Sequence, residues 1–153
     1  MICSPVQSNL WVGPTPRTAE DFTHLQSLHI TAVLSLQDEK DRGYLGIEAE
    51  RAAAIRAGLA FESVPIKDFS NADLQLGLPQ SVTSLGRLLN QGQIVYVHCH
   101  AGITRSPTVI AAYLHWSSGW TLERALAHVK QCRPCFPIED VIRNARWPGW
   151  TLI

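Results

Sequence analysis

The feature that most constrains this chain is the segment His98-Cys99-His100-Ala101-Gly102-Ile103-Thr104-Arg105-Ser106, in which five residues separate a cysteine from an arginine. It follows a β-rich run at residues 94–97 and precedes a helical run at residues 107–114. A loop between a strand and a helix can bring its amides and the positive end of the helix dipole to one point. The sequence therefore predicts a cradle for phosphate, with Cys99 at its floor and Arg105 as a planar cation that fits two phosphate oxygens.

The predicted cradle suits nucleophilic chemistry at Cys99. A helix N-terminus and a nearby cation favour the thiolate, which is the reactive form of cysteine. Ser106 is expected to hydrogen-bond the sulfur, and His98 is expected either to support the loop from below or to be a packed core residue. Gly102 would let the backbone approach the phosphate. The amides expected to bind phosphate oxygens belong to His100, Ala101, Gly102, Ile103, Thr104 and Arg105.

The pattern His-Cys-x-Ala-Gly-x-x-Arg-Ser resembles the dual-specificity branch of the cysteine-dependent protein-tyrosine phosphatase superfamily. The resemblance implies removal of phosphate from protein phosphotyrosine, phosphoserine or phosphothreonine through a thiophosphate-enzyme intermediate, with no cofactor and no metal. It also implies an aspartate that acts as the general acid and lies about thirty residues before the cysteine, after a strand. Asp68 occupies that place, and Asp73, later in the same loop, is the alternative.

Further motifs resemble the catalytic domain of plant starch-excess glucan phosphatases. They are Gln37-Asp38, residues 43–47, Lys67-Asp68-Phe69, residues 133–137 and residues 141–145. Aromatic residues beside the pocket stack on glucose rings in those enzymes, so the resemblance makes Tyr44 and Phe69 a possible substrate platform. Alternatively, each packs against the wall of the site. Thr104 departs from the glycine that glucan enzymes usually carry there, so phosphoprotein is the first expectation and phosphoglucan the second.

Length and charge favour one domain, a phosphatase catalytic domain over residues 1–153. The chain has 13 Lys and Arg and 13 Asp and Glu residues, which argues against bulk electrostatic binding to nucleic acid or membrane surfaces. No apolar run approaches the roughly 20 residues that span a bilayer, and the first residues lack the features of a secretory signal. We therefore expect a cytoplasmic monomer whose partner is a phosphoprotein or phosphoglucan substrate.

Hydrophobic periodicity and turn residues predict an α/β fold. Strands are expected at residues 8–13, 31–36, 61–65 and 94–97, and helices after Thr18, at 47–57, 76–90 and 107–118, after Thr121 and at 138–144. This alternation predicts a central, mostly parallel sheet flanked by helices on both faces, of the dual-specificity-phosphatase kind. A ligand then lies beyond the carboxyl ends of the strands. The apolar segment from Trp147 to Trp150 is expected to seal the domain's underside.

Other interpretations stay open at this point. Cys132 or Cys135 could resolve an oxidised Cys99, although packing roles are the simpler expectation for this C-x-x-C pair. A catalytically silent phosphate-binding domain is an alternative from another functional class, which the joint presence of Cys99, Arg105 and Asp68 disfavours. Rhodanese-like sulfur transfer also uses a cysteine in a loop, but it does not require an acid at Asp68.

Overall fold

The computed structural model describes residues 1–147, and its centre is a five-stranded sheet. The spatial order of the strands is β1, β2, β5, β3, β4, in which only the β1–β2 pair is antiparallel. The strands are β1 (Ser4–Gln7), β2 (Leu10–Gly13), β3 (Ala32–Ser35), β4 (Ala60–Ser63) and β5 (Val95–His98). The predicted α/β class with a mostly parallel sheet is confirmed.

Six helices accompany the strands. They are α1 (Ala19–Ser27), α2 (Ile47–Arg56), α3 (Asn71–Asn90), α4 (Arg105–Trp116), α5 (Leu122–Cys132) and α6 (Glu139–Asn144). Thr18 and Thr121 are the N-caps of α1 and α5, as their positions in the sequence predict. In each case the threonine hydroxyl accepts a hydrogen bond from a backbone amide of the first turn, which would otherwise have no partner.

The alternation of side chains along the central strands divides the core into two layers. Val33 and Tyr96 pack with Phe22 and Leu25 of α1 on one face of the sheet. Their strand neighbours face the opposite way and pack in the larger cluster, which includes residues of α3, α4, α5 and α6. Helices therefore cover both faces, and the carboxyl edge of β5 opens between them.

The main differences from the sequence prediction are the starts of α3 and α4 and an additional strand, β1. Helix α3 begins at Asn71 instead of residue 76, because Ser70 caps it and accepts a hydrogen bond from the Asp73 amide. Strand β1 was not predicted, and it contains Pro5, which an edge strand tolerates. Helix α4 begins at Arg105, two residues earlier than expected, so Arg105 and Ser106 lie in its first turn.

Candidate active site

The predicted nucleophile lies where the central strand ends. Strand β5 pairs with β2 and β3, so His98 stands opposite Gly13 and Ser35 at the carboxyl edge. Cys99 follows directly and is 3% exposed. Its Sγ atom lies 3.2 Å from the hydroxyl of Ser106, which is fully buried in the first turn of α4. The structure thus brings Cys99 and Ser106 into hydrogen-bonding contact.

The loop after Cys99 turns all five carbonyl oxygens of residues 100–104 toward partners elsewhere in the fold. In order, these carbonyls accept hydrogen bonds from the Thr15 amide (3.1 Å), Arg133 Nη2 (2.9 Å), Arg133 Nε (3.0 Å), the Phe136 amide (2.7 Å) and the Thr108 hydroxyl (2.6 Å). A trans peptide unit points its N–H opposite to its C=O. The amides of residues 101–105 therefore point away from these partners, toward the inside of the loop.

Gly102 is required by the backbone of the neighbouring strand. Its φ is +71°, and a Cβ at this position would lie 2.6 Å from the carbonyl carbon of Gly13. From the sequence alone, we expected a glycine at this position because the backbone must approach the phosphate. The structure shows that close packing of the loop on β2 already excludes a side chain.

Arg105 is held by a carboxylate that the sequence argument did not single out. Its Nη1 and Nη2 atoms donate to the two carboxylate oxygens of Asp41 at 3.2 and 2.8 Å, and Nη1 also donates to the carbonyl of Ile66 at 2.8 Å. Both charged side chains are 3% exposed. Gln37 adds a hydrogen bond to Asp41 at 3.3 Å.

This pairing sets the charge and the orientation of the guanidinium. Burial acts to lower the pKa of Arg105, but hydrogen bonding to Asp41 and the negative charges of Cys99, Asp41 and Asp68 outweigh it and raise the pKa above its ordinary value. Within residues 1–147, the Nε atom of Arg105 has no hydrogen-bond partner, so this edge of the fork stays available to an anion. No local pattern marks Asp41, since its loop reaches Arg105 only in the folded chain.

Asp68 and Asp73, the two candidates for the general acid, have different surroundings in the structure. The Asp68 carboxylate lies 3.4 Å from Arg105 Nη2, and its side chain is 32% exposed. Asp73 instead accepts a hydrogen bond from the Lys67 amide at 2.7 Å, while its own amide donates to Ser70. Asp68 is therefore placed at the site, and Asp73 is engaged in the start of α3.

His98 supports the loop through a buried chain of polar groups. Its Nδ1 lies 3.2 Å from the carbonyl oxygen of Cys99, and its Nε2 lies 2.5 Å from Glu50. His98 and Glu50 are both fully buried. A carboxylate can only accept, so His98 Nε2 donates to Glu50 when Glu50 is ionised. Sequence reasoning missed Glu50, which lies inside an alanine-rich helix with no motif around it.

Tyr44 completes this chain instead of lining the pocket. Its hydroxyl donates to Glu50 at 2.5 Å. Burial and the negative charge of Glu50 raise the pKa of Tyr44, so the hydroxyl keeps its proton. Burial also acts to raise the pKa of Glu50, but His98 and the hydrogen bonds from His98 and Tyr44 outweigh it and hold that pKa below its ordinary value.

The catalytic cavity has a volume of about 170 Å³. It is lined by Asp68, Phe69, Cys99, His100, Ala101, Ile103, Thr104 and Arg105. Phe69 is fully exposed, with a positive φ of 58°. Phe136, which is bonded through its amide to Ile103, is 74% exposed. The structure therefore brings Phe69 to the cavity and leaves Tyr44 away from it.

The remaining cysteines lie in packed surroundings. Burial raises the pKa of both Cys132 and Cys135. Cys132 Sγ lies 3.6 Å from His128 Nε2, and the Cys135 thiol faces the carbonyl of Val129 at 3.7 Å. Across residues 1–147, no group of three or more His, Cys, Asp or Glu side chains is arranged to hold a metal ion. A redox role for this pair stays a prediction.

A cysteine and an arginine in a strand–loop–helix cradle, with an aspartate at its mouth, form the arrangement that is typical of cysteine-based phosphatases. The family model for the dual specificity phosphatase catalytic domain matches residues 10–142. The chain belongs to this family.

Curated relatives extend this assignment. The chain is 33% identical over 144 residues to phosphoglucan phosphatase DSP4 of Castanea sativa, covering 92% of this chain and 38% of that protein. It is 31% identical to mouse laforin, covering 94% and 48%, and 31% identical to mouse dual specificity protein phosphatase 12, covering 84% and 35%. The chain thus spans less than half the length of these relatives.

Solved structures show the same fold. The crystal structure of Tk-PTP in its active form superposes with a TM-score of 0.76 at 21% identity, covering 92% of this chain and 90% of that one. A mouse putative dual specificity phosphatase complexed with zinc tungstate gives a TM-score of 0.71 at 25% identity, covering 92% and 84%. No helix within residues 1–147 is long and apolar enough to cross a membrane.

Proposed function

We propose that this chain is a phosphomonoester hydrolase that uses Cys99 as its nucleophile and acts on protein phosphotyrosine, phosphoserine or phosphothreonine. The observation that carries the proposal is the loop geometry, in which five outward carbonyls leave the amides directed inward above a cysteine and beside Arg105. Such fixed donors stabilise the negative charge that grows on phosphoryl oxygens in the transition state.

In the first step, the Cys99 thiolate attacks phosphorus and the bond from phosphorus to the ester oxygen breaks. Asp68, in its protonated form, gives its proton to the departing oxygen, so that an alcohol or a phenol leaves. Arg105 and the loop amides bind the three non-bridging oxygens. The product of this step is a phosphocysteine on the enzyme.

In the second step, water attacks the phosphocysteine and inorganic phosphate leaves. The Asp68 carboxylate takes a proton from that water, which returns Asp68 to its acid form. The Ser106 hydroxyl, 3.2 Å from Sγ, donates to the sulfur as it leaves with the bonding electron pair. His98, whose Nδ1 lies 3.2 Å from the Cys99 carbonyl oxygen, holds the backbone at the nucleophile.

Phosphoglucan is the second candidate substrate, and two observations favour it. Two of the curated relatives are named phosphoglucan phosphatases, at 33% and 32% identity. The fully exposed ring of Phe69 lines the cavity, where it could stack on a sugar ring. Tyr44 does not line this cavity, and its hydroxyl is bound to Glu50.

Phosphate release from three substrates, without added metal, tests these proposals. The substrates are a phosphotyrosine peptide, a phosphothreonine peptide and phosphorylated amylopectin. Cys99→Ser should abolish turnover, whereas Cys132→Ser, the matched control at a thiol outside the site, should retain it. Preference for amylopectin would overturn the protein-substrate assignment, and turnover by Cys99→Ser would overturn the mechanism. The cytoplasmic location and the monomeric state stay predictions, and light scattering tests the second.

A further inference from the structure

A second cleft adjoins the catalytic cavity. It has a volume of about 390 Å³ and shares Asp68 and Phe69 with the cavity above Cys99. The other residues that line it are Asp38, Lys40, Asp41, Arg42 and Lys67. A group bound in this cleft would therefore lie next to the phosphate that is cleaved.

The carboxylates of this cleft already have partners. Asp41 is bonded through both oxygens to Arg105. Asp38 accepts a hydrogen bond from the backbone amide of Lys40 at 3.0 Å. Asp68 lies 3.4 Å from Arg105 and accepts from the amide of Phe69.

The three cationic side chains of the cleft have no such partners among residues 1–147. In the part of the chain from residue 1 to residue 147, the side chains of Lys40, Arg42 and Lys67 form no ion pair and no hydrogen bond, and all three residues are exposed. Among the exposed arginines of residues 1–147, Arg87 pairs with Glu62 and Arg143 with Glu139, whereas Arg56 has no carboxylate partner. The cleft thus holds three cationic side chains that are free to bind an anion, while two of its three carboxylates, Asp41 and Asp68, face Arg105.

We propose that this cleft binds a second anionic group, a phosphate or a carboxylate, carried by a phosphopeptide substrate close to the residue being dephosphorylated. Arg42 offers a fork that fits either group, and Lys40 and Lys67 add point charges. The inference rests on the proposed phosphatase function, since the same cavity must receive the first phosphate. The subsite would favour protein substrates that carry a second phosphate or an acidic side chain close to the residue being dephosphorylated.

Binding to the Cys99→Ser protein, measured by titration calorimetry, tests the subsite without turnover. Three phosphotyrosine peptides are compared, with alanine, glutamate or a second phosphoserine at the positions on either side. We expect about tenfold tighter binding of at least one charged peptide than of the alanine peptide at low salt, since several exposed charge pairs each contribute modestly. The ratio should fall toward one as the salt concentration rises.

Replacing cations of the cleft tests whether they cause the tighter binding of the charged peptides. In a Lys40→Ala/Arg42→Ala variant of the same protein, we expect the ratio to fall to about threefold or less. Arg56→Ala, which removes an exposed cation from α2 outside the cleft, should keep the full ratio. Preference for the phosphoserine peptide alone would identify phosphate as the second group, and equal gains would show that a carboxylate suffices.

Two results would overturn the subsite: equal affinity for all three peptides, or a ratio that survives in the double variant. Turnover of the alanine peptide by the protein with Cys99 intact is measured separately. Its absence would refute the proposed activity on proteins, while the binding ratio would still decide whether the cleft takes a second anion.

Discussion

Replacing Asp41 by asparagine should destabilise the domain, because it leaves the Arg105 charge buried without a compensating carboxylate. Removal of one partner from a buried ion pair costs about 3–5 kcal/mol. Here the Ile66 carbonyl still accepts from Nη1 at 2.8 Å, and Asp68 lies 3.4 Å from Nη2. The asparagine oxygen also keeps one acceptor, so we expect a loss near the lower end, about 3 kcal/mol.

Thermal unfolding measures this loss. In a domain of this size, 1 kcal/mol corresponds to a shift in Tm of roughly 2–4 °C, so Asp41→Asn should unfold about 6–12 °C below the parent. Asp38→Asn is the matched control, since Asp38 lies in the same loop and, among residues 1–147, its carboxylate accepts a hydrogen bond only from the Lys40 amide. We expect the control to shift Tm by less than 2 °C.

A bound anion should partly restore the thermal stability of Asp41→Asn. Inorganic phosphate bound in the cradle supplies negative charge at the Nε edge of Arg105, and a ligand that binds only the folded state stabilises it. The rise in Tm on adding phosphate should therefore be larger for Asp41→Asn than for the parent or Asp38→Asn. An unchanged Tm in Asp41→Asn, or an equal phosphate effect in all three proteins, would refute this account of the ion pair.

Three further changes test other parts of the site. Asp68→Ala should slow the hydrolysis of alkyl phosphates by 10²–10⁴-fold but that of para-nitrophenyl phosphate far less, because nitrophenolate leaves without a proton; equal losses would remove Asp68 from the acid role. Gly102→Ala should lower the unfolding free energy in urea by more than the 1–2 kcal/mol cost of a left-handed residue, because the new Cβ would meet the Gly13 backbone; a smaller loss would contradict that contact. Glu50→Gln should destabilise the protein most at neutral pH: the lowered pKa of Glu50 stabilises the fold above its ordinary value of 4.5, and this contribution disappears as the pH falls through the folded-state pKa. Denaturation at pH 7, 4.5 and 3 should show the difference from the parent shrinking only below about pH 4.5, and a constant difference would count against the ionised Glu50 beside His98.

The sequence predicts the catalytic loop well because its determinants are contiguous. Strand, loop and helix follow one another from residue 94 to residue 116. The contact of Cys99 with Ser106 joins residues that are only 7 positions apart in the sequence. Asp68 was also found at the site, since it follows a strand that must end at the same edge of a parallel sheet. Local patterns therefore locate Cys99 and Asp68 at the same edge of the sheet, and their roles as nucleophile and acid stay predictions.

Residues that act through long-range contacts could not be found in the same way. Asp41 lies 64 positions from Arg105, and Glu50 lies 48 positions from His98. Each belongs to a segment whose own pattern predicts something ordinary, a polar loop and an alanine-rich helix. For Tyr44 the sequence left two roles open, a substrate platform or packing beside the site, and it could not show that the hydroxyl donates to buried Glu50.

The loop itself explains why so many remote residues are needed. Amides can converge on a phosphate only if the intervening carbonyls diverge, and five diverging carbonyls at a packed edge require donors, because a buried carbonyl without a partner is costly. Thr15, Arg133 and Phe136 supply four of the five from outside the motif. Arg133 also donates to the carbonyl of Ile2 and the hydroxyl of Ser4, which fastens β1 to the loop. The motif at residues 98–106, set between a strand and a helix, therefore locates the site in the sequence, but the cradle also depends on segments at both ends of the described chain.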